Sequence, residues 1–530
     1  MRAVGPAALA LLLAAAPLAA QDQPAMPARA DHAAMTGHAH DDMLAPKTPT
    51  LLTGYGRGGF AITTRVPQAQ AFFSNGMELG AAFAHSAAIE AMAEAVRLDP
   101  ACAMCKWGQA LVSGPTINFG KDAAERAQLL ALASEAARQA AAGGTAKEKA
   151  LTAALVERYR PGKTVARDRA YARAMEAVQQ QFPQDEEIAV LTADALMVAA
   201  FADYAKPDMA LLGRTIPLLQ GVLARDPNHT PAIHFYIHAT EALGIGARAE
   251  PYADRLEALA PRASHLVHMP SHTWFWVGRY EDAARANQRA VEIGKENAAR
   301  LGLPGPDGGV WGLPYHAHNV IYGLGGALMA GDAEVGLALA RPLVALSAGR
   351  TADDPVAQLL AALGYDALAR FDPGSVPALP EPKLPYLKAA WHYARGEAAA
   401  SAGDAAGVAA ERAAIPASIE TPGRHDAKAP EQMLGITRAV LAGRLAMLQG
   451  KPAEAATHFR AAAEIEETPA FTDFTDPPAF WYPVRRDLAA ALLAAGDVAG
   501  ARREAEASLK LRVKDPVAET LLARTASAAR

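Results

Sequence analysis

The sequence predicts an all-α solenoid, a right-handed superhelix of paired antiparallel helices. Three observations predict it: an alanine-heavy apolar composition, glycines that recur between helical stretches, and a 34-residue spacing shared by neighbouring segments. The chain has 530 residues, 51% apolar, 20% charged and 6% aromatic. That length suits several domains or one long array. The apolar fraction excludes global disorder. Alanine favours helix and lets helices approach closely while filling little volume. A formal net charge of −5 indicates no general nucleic-acid-binding surface. Two cysteines cannot staple a chain of this size, so packing must hold the fold.

The N-terminus has the three parts of a secretory signal over residues 1–20: charged Arg2, an apolar run from Ala7 to Ala20, and small residues before polar Gln21. The run is too short for a stable membrane anchor. The expectation is an exported protein, periplasmic or secreted, with no membrane span after cleavage. Residues 21–60 read as a flexible linker rich in Pro, Ala and Gly. Within it, His32, His38 and His40 stand among Met35, Met43, Asp31, Asp41 and Asp42. Such a tract either captures a soft or borderline metal or is an inert solvated linker.

Residues 61–530 carry the repeat. Pro227 and Pro261 are 34 apart, as are Gly244 and Gly278. The next interval, Gly278 to Gly331, is 53, and the excess falls on a Gly/Pro-rich inserted loop near 301–312. The segment Gly278-Arg279-Tyr280-Glu281-Asp282-Ala283-Ala284, with looser copies at Gly331, Gly403, Gly450 and Gly496, resembles the turn and second helix of a tetratricopeptide repeat. The blocks Cys102-Ala-Met104-Cys105-Lys-Trp107-Gly108 and His265-Leu-Val-His268-Met269-Pro270-Ser271-His272 are similar to those of a family of exported bacterial tetratricopeptide proteins. The resemblance implies the fold and a protein or peptide partner, and carries over no catalytic role.

The histidines fall on this register. His234 and His238 are four apart, as are His268 and His272, so each pair shares one helix face. The two pairs are themselves 34 apart, and His265 to His318 repeats the 53-residue interval. Glu241 continues the stripe. Preceding the repeat glycines, these residues belong to first helices, which line the concave face of such a solenoid. His234, His238, His265, His268, His272 and His318 are therefore candidate ligands for a Zn or Cu ion, since imidazole suits both. The alternatives are a metal-free polar groove for a peptide or carboxylate, beside Trp274 and Trp311, and structural packing. A catalytic version would use Glu241 as general base on a metal-bound water. This gives two readings of function: a scaffold that binds a partner or ligand around a His-rich site, or a metal-dependent hydrolytic or oxidative enzyme.

Proline at Pro270 is expected to start or kink its helix. Cys102 and Cys105, a CxxC after a helix-stopping Asp-Pro, form a local disulfide, a soft-metal pair, or two packed thiols. Arg486, ten residues before Gly496 as His268 is before Gly278, is expected to face the groove and hold a carboxylate or phosphate, or to bridge to a neighbouring repeat. No Walker loop or Gly-x-Ser-x-Gly elbow is present.

Overall fold

The computed structural model describes residues 49–528 apart from 204–205, 350–353, 421–427 and 473–477. The signal segment 1–20 and the tract from Asp31 to Met43 lie outside the described residues. Among the described residues there are helices and no β-strand, each helix packing mainly against its neighbours in the chain. This is an all-α solenoid. It divides into two compact units, the first ending at Thr273 and the second beginning at Trp274. No helix among the described residues is long and apolar enough to cross a membrane.

The repeat punctuation has a specific backbone chemistry. At Gly244, Gly403, Gly450 and Gly496 the chain enters the left-handed region, with φ of 69°, 74°, 70° and 89°. The three N–H groups at each turn fold back onto the last carbonyls of the preceding helix. At Gly244, for example, Leu243 N–H donates to Ala239 O, Gly244 N–H to Glu241 O and Ile245 N–H to Thr240 O. At three turns of the second unit, though not at Gly450-Lys451, an aspartate follows the glycine and caps the next helix. Asp332 accepts from Val335 N–H at 3.1 Å, Asp404 from Gly407 N–H at 2.9 Å, and Asp497 from Gly500 N–H at 2.7 Å. Two residues thus end one helix and start another.

In the first unit, capping boxes start the helices Ala123–Gly143 (Asp122 with Glu125) and Ala146–Tyr159 (Thr145 with Glu148). The core is built on Phe73, Met92, Trp107 and Tyr159. Trp107 Nε1 donates to Leu151 O, and Tyr159 OH to Ala110 O. Cys102 and Cys105 are joined in a buried disulfide at the start of the helix Ala103–Val112, which leaves no thiolate there for a soft metal.

Residues 49–60, expected to be the end of a linker, are instead fastened to the first unit. Leu52 exchanges two hydrogen bonds with the Asn75 side chain, at 2.9 and 2.7 Å. Arg57 N–H donates to Thr230 Oγ1 at 2.9 Å, and its guanidinium pairs with Asp226. A Cβ at Gly58 would lie 2.8 Å from the Glu78 backbone nitrogen, so glycine is what lets this stretch lie on the helix Pro67–Ala81.

The second unit curls until its ends meet. Tyr280, in its first long helix Tyr280–Leu301, donates its hydroxyl proton to Val513 O at 2.7 Å, next to the last helix Pro516–Ala528. The inserted loop is a 3-10 segment, Pro306–Gly312, with Asp307, Gly308 and Gly309 at positive φ. Trp311 Nε1 closes it by donating to Asp307 Oδ2 at 2.8 Å. Arg486 is committed to the interior: its guanidinium faces Asp515 at 3.3 Å and lies over the rings of Trp481 and Tyr482, at 4.6 and 4.0 Å from their centroids. Asp515 is fully buried and also caps Pro516–Ala528 through Val517 N–H.

Asp515→Ala strands the Arg486 charge in the interior and removes that cap. It should lower the unfolding free energy by about 3–5 kcal/mol in urea titrations, the usual cost of leaving one partner of a buried ion pair alone. A second test is pH dependence. Burial pushes the Glu466 carboxyl up to about 8 from an ordinary 4.5. Between those pH values the folded carboxyl keeps a proton that the unfolded chain releases, so stability should fall as pH rises through that window. Glu466→Gln removes this contribution, so its urea midpoint should fall less than the wild type's over the same range.

Candidate metal centre

The helix Thr230–Ala242 starts at Pro231 in its first turn, with His229 as N-cap accepting from Ala232 N–H at 3.3 Å. It is buried on every side from Thr230 to Glu241, as expected of a helix apolar all round. Into that setting the sequence places His234, His238 and Glu241 on one face. One repeat later Pro270 interrupts the helix, giving Ser264–His268 followed by Pro270–Trp276. The break turns His265 and His268 towards the first pair.

His234, His238 and His265 converge. Each offers a ring nitrogen within 4.8 Å of the others, and none is more than 5% exposed. His234 Nε2 is 3.1 Å from His238 Nε2 and 3.1 Å from His265 Nε2. On its other side, His234 Nδ1 lies 2.7 Å from the Ala81 carbonyl. A carbonyl only accepts, so Nδ1 carries the proton and Nε2 presents a lone pair. Burial also lowers the His234 pKa to about 3, which keeps the ring neutral. A metal-ligating imidazole uses the same arrangement, one nitrogen fixed by a carbonyl and the other left with a free lone pair. Nitrogens at metal distances of about 2.0–2.1 Å in a tetrahedral geometry stand about 3.3–3.4 Å apart, close to the two separations of 3.1 Å made by His234 Nε2.

A second group lies beside the first. Glu241 Oε2 accepts from His272 Nδ1–H at 2.7 Å, which turns His272 Nε2 into an acceptor facing His268 Nε2 at 2.8 Å. The ring of His272 lies 5.7 Å from that of His238, and His268 lies 5.6 Å from His265. Five of the six register histidines and Glu241 therefore form one buried cluster in the first unit. They do not line an open surface as expected from the repeat register. His318 belongs to the second unit, buried on the helix His316–Ala330. Trp274 is also there, buried with the Arg279 guanidinium 4.8 Å above its ring. Trp311 meets His316 edge-on at 4.7 Å, and Arg486 holds Asp515 as described above.

Sequence reasoning missed two participants, the Ala81 carbonyl and Phe83. Phe83 lies between helices Pro67–Ala81 and His85–Leu98 with φ of 56°. Its turn makes the same three hydrogen bonds as Gly244: Ala82 N–H to Glu78 O, Phe83 N–H to Gly80 O and Ala84 N–H to Leu79 O. A phenylalanine therefore occupies a position the repeat elsewhere gives to glycine, at a cost of about 1–2 kcal/mol. Its ring stacks on His265 at 4.9 Å and 17°, lies near-parallel to His238 at 6.1 Å, and meets His234 edge-on at 4.5 Å. The signal for this was present: a turn reading Ala81-Ala82-Phe83-Ala84, with no glycine between two helical stretches.

No protein-family model and no curated protein sequence matches the chain. Among solved structures it is similar to yeast Tom70, at 11% identity and a TM-score of 0.27 over 86% of this chain and 92% of that one. It is also similar to the APC/C hetero-tetramer Cut9–Hcn1 (11% identity, TM-score 0.25, 87% of this chain and 96% of that one). A third likeness is to Naa15/Naa10 bound to HypK-THB (13% identity, TM-score 0.23), where 83% of this chain covers 63% of that one. At these values the likenesses assign neither partner nor chemistry to this chain.

Proposed function

We propose that this protein is an exported tetratricopeptide-type scaffold that closes its first unit around a transition-metal ion, Zn or Cu, held by His234, His238 and His265. Its helical repeats serve a protein or peptide partner. The observation that carries the metal reading is the position of His234 Nε2. It has one lone pair, yet two further imidazole nitrogens stand 3.1 Å from it. A single lone pair accepts one N–H well, whereas an ion between the three rings uses all three lone pairs at once. Export is supported by the signal-like residues 1–20, and the His/Met tract behind them suits metal collection.

A second reading, a metal-dependent enzyme, is favoured by Glu241. Its carboxylate fixes the tautomer of His272 beside the triad, and three protein ligands leave a fourth tetrahedral position for water. X-ray absorption separates the two readings. A light-atom ligand beyond three imidazoles supports the enzyme, and a closed protein-only shell supports the scaffold.

Metal analysis after dialysis against Zn or Cu and then metal-free buffer should find about one equivalent retained by the full-length protein. His234→Ala, His238→Ala and His265→Ala should each retain less than about 0.2 equivalent while keeping their helical circular dichroism. Failure of the wild-type protein to retain either metal overturns the proposal. Phe83→Gly should relax the backbone by about 1–2 kcal/mol but lose a buried ring worth about 3–5 kcal/mol, so the urea midpoint should fall modestly below that of the wild type. It also strips the ring from the triad, so release of the metal to a chelator should accelerate about tenfold or more.

A further inference from the structure

The second unit contains a recess that the histidine site does not explain. It lies among the helices Pro355–Phe371, Pro385–Ser401 and Lys428–Leu448, with Ala479 and Phe480 across one side. About 450 Å³ of space lies within it when the open solvent at its mouth is counted, and its enclosed part has room for only a few water-sized groups. The walls are apolar and aromatic: Leu359, Tyr386, Tyr393, Met433 and Phe480. One acidic group, Asp366, lines it.

Among the described residues, no hydrogen-bond donor or basic side chain meets the Asp366 carboxyl. Arg444, on the helix Lys428–Leu448, is engaged with Glu397 at 3.2 Å and Asp487 at 2.9 Å. Glu397 adds a second negative charge near Asp366, and burial together with that charge raises the Asp366 pKa to about 8. A largely buried carboxyl without a cation is costly to ionise and is ordinarily paired. Tyr393 and Phe480 lie 6.5 Å apart with their rings tilted by 50°. Aromatic rings around an acidic group attract a cation through their faces while excluding water. Beyond Asp366 the oxygens on the lining are the hydroxyls of Tyr386, Tyr393 and Thr437, fewer than the six or more that a hard inorganic cation takes, whereas an alkylated nitrogen fits the apolar remainder.

We propose that this recess is a binding site for a small organic ammonium ion, with Asp366 as its counter-ion and Tyr393 and Phe480 as aromatic walls. The site is independent of the metal centre, because every residue in it belongs to the second unit.

The test is calorimetric titration of the full-length protein with ethylammonium and tetramethylammonium chlorides, with tert-butanol as a neutral probe of similar bulk and potassium chloride as the inorganic control. Saturable binding of at least one ammonium probe is expected, with no binding of tert-butanol or potassium. Asp366→Asn should weaken it about tenfold or more with little change in thermal stability near neutral pH, since the free carboxyl is largely protonated there and the amide keeps its shape. Phe480→Leu, which keeps the charge and loses the ring, should weaken it less but measurably. The proposal is overturned if neither ammonium binds, if tert-butanol or potassium binds as well as the ammonium probes, or if Asp366→Asn binds as the wild type does.

Discussion

The hydrogen bond from His234 Nδ1–H to the Ala81 carbonyl is the contact on which the first unit's chemistry depends. It joins residues 153 apart in the chain. Ala81 ends the helix Pro67–Ala81, where the last carbonyls have no partner within the helix and carry the negative end of its dipole. The turn that follows satisfies Glu78, Leu79 and Gly80 from its own backbone. His234 takes Ala81. The same bond closes the unit on itself, fixes the tautomer of His234 and points Nε2 at the other imidazoles. Closure and site are thus one event. The pinning of residues 49–60, from Asn75 to Thr230, spans the same seam and reinforces it.

Closure also explains why the histidines are buried. In an open array, first-helix residues would face solvent along a groove. Here the first helix and its turn return over the helix Thr230–Ala242, and Phe83 covers the rings that remain. Buried imidazoles must be neutral or paired, because a charged ring away from water is heavily penalised. The structure meets that requirement with carbonyl, carboxylate and imidazole partners: Ala81 for His234, Glu241 for His272, and His272 for His268. At His234 the result is a neutral ring with an oriented lone pair, a chemistry suited to cations.

Much of this was legible in the sequence, and the boundary is physical. The repeat glycines and the aspartates after them report local backbone geometry, which a few residues determine, so their spacing located the turns. The 34-residue offset between the His234/His238 and His268/His272 pairs located the cluster, because neighbouring repeats must bring equivalent positions together. What lay beyond reach was the long-range closure. Nothing within thirty residues of Ala81 says that its carbonyl meets His234, and nothing near Tyr280 says that its hydroxyl meets Val513. Curvature accumulates over many small inter-helix rotations, and no local pattern encodes their sum. The same gap explains Arg486. Its register gave a face, but the face turned inward onto Asp515 once the second unit curled closed.

Phe83 links these levels. A left-handed turn position selects glycine on local grounds, and the repeat uses glycine there at Gly244, Gly403, Gly450 and Gly496. Retaining phenylalanine costs backbone energy, so some tertiary contact must offset it. Its ring makes contacts with His234, His238, His265, His85 and Phe235, all within 6.2 Å. Four of those five partners are imidazoles. A ring required merely to fill volume would be served by an aliphatic side chain on the adjacent helix, without positive φ. A flat ring at this point instead packs against all three converging imidazoles at once. The strain at residue 83 is thus localised beside the histidine triad.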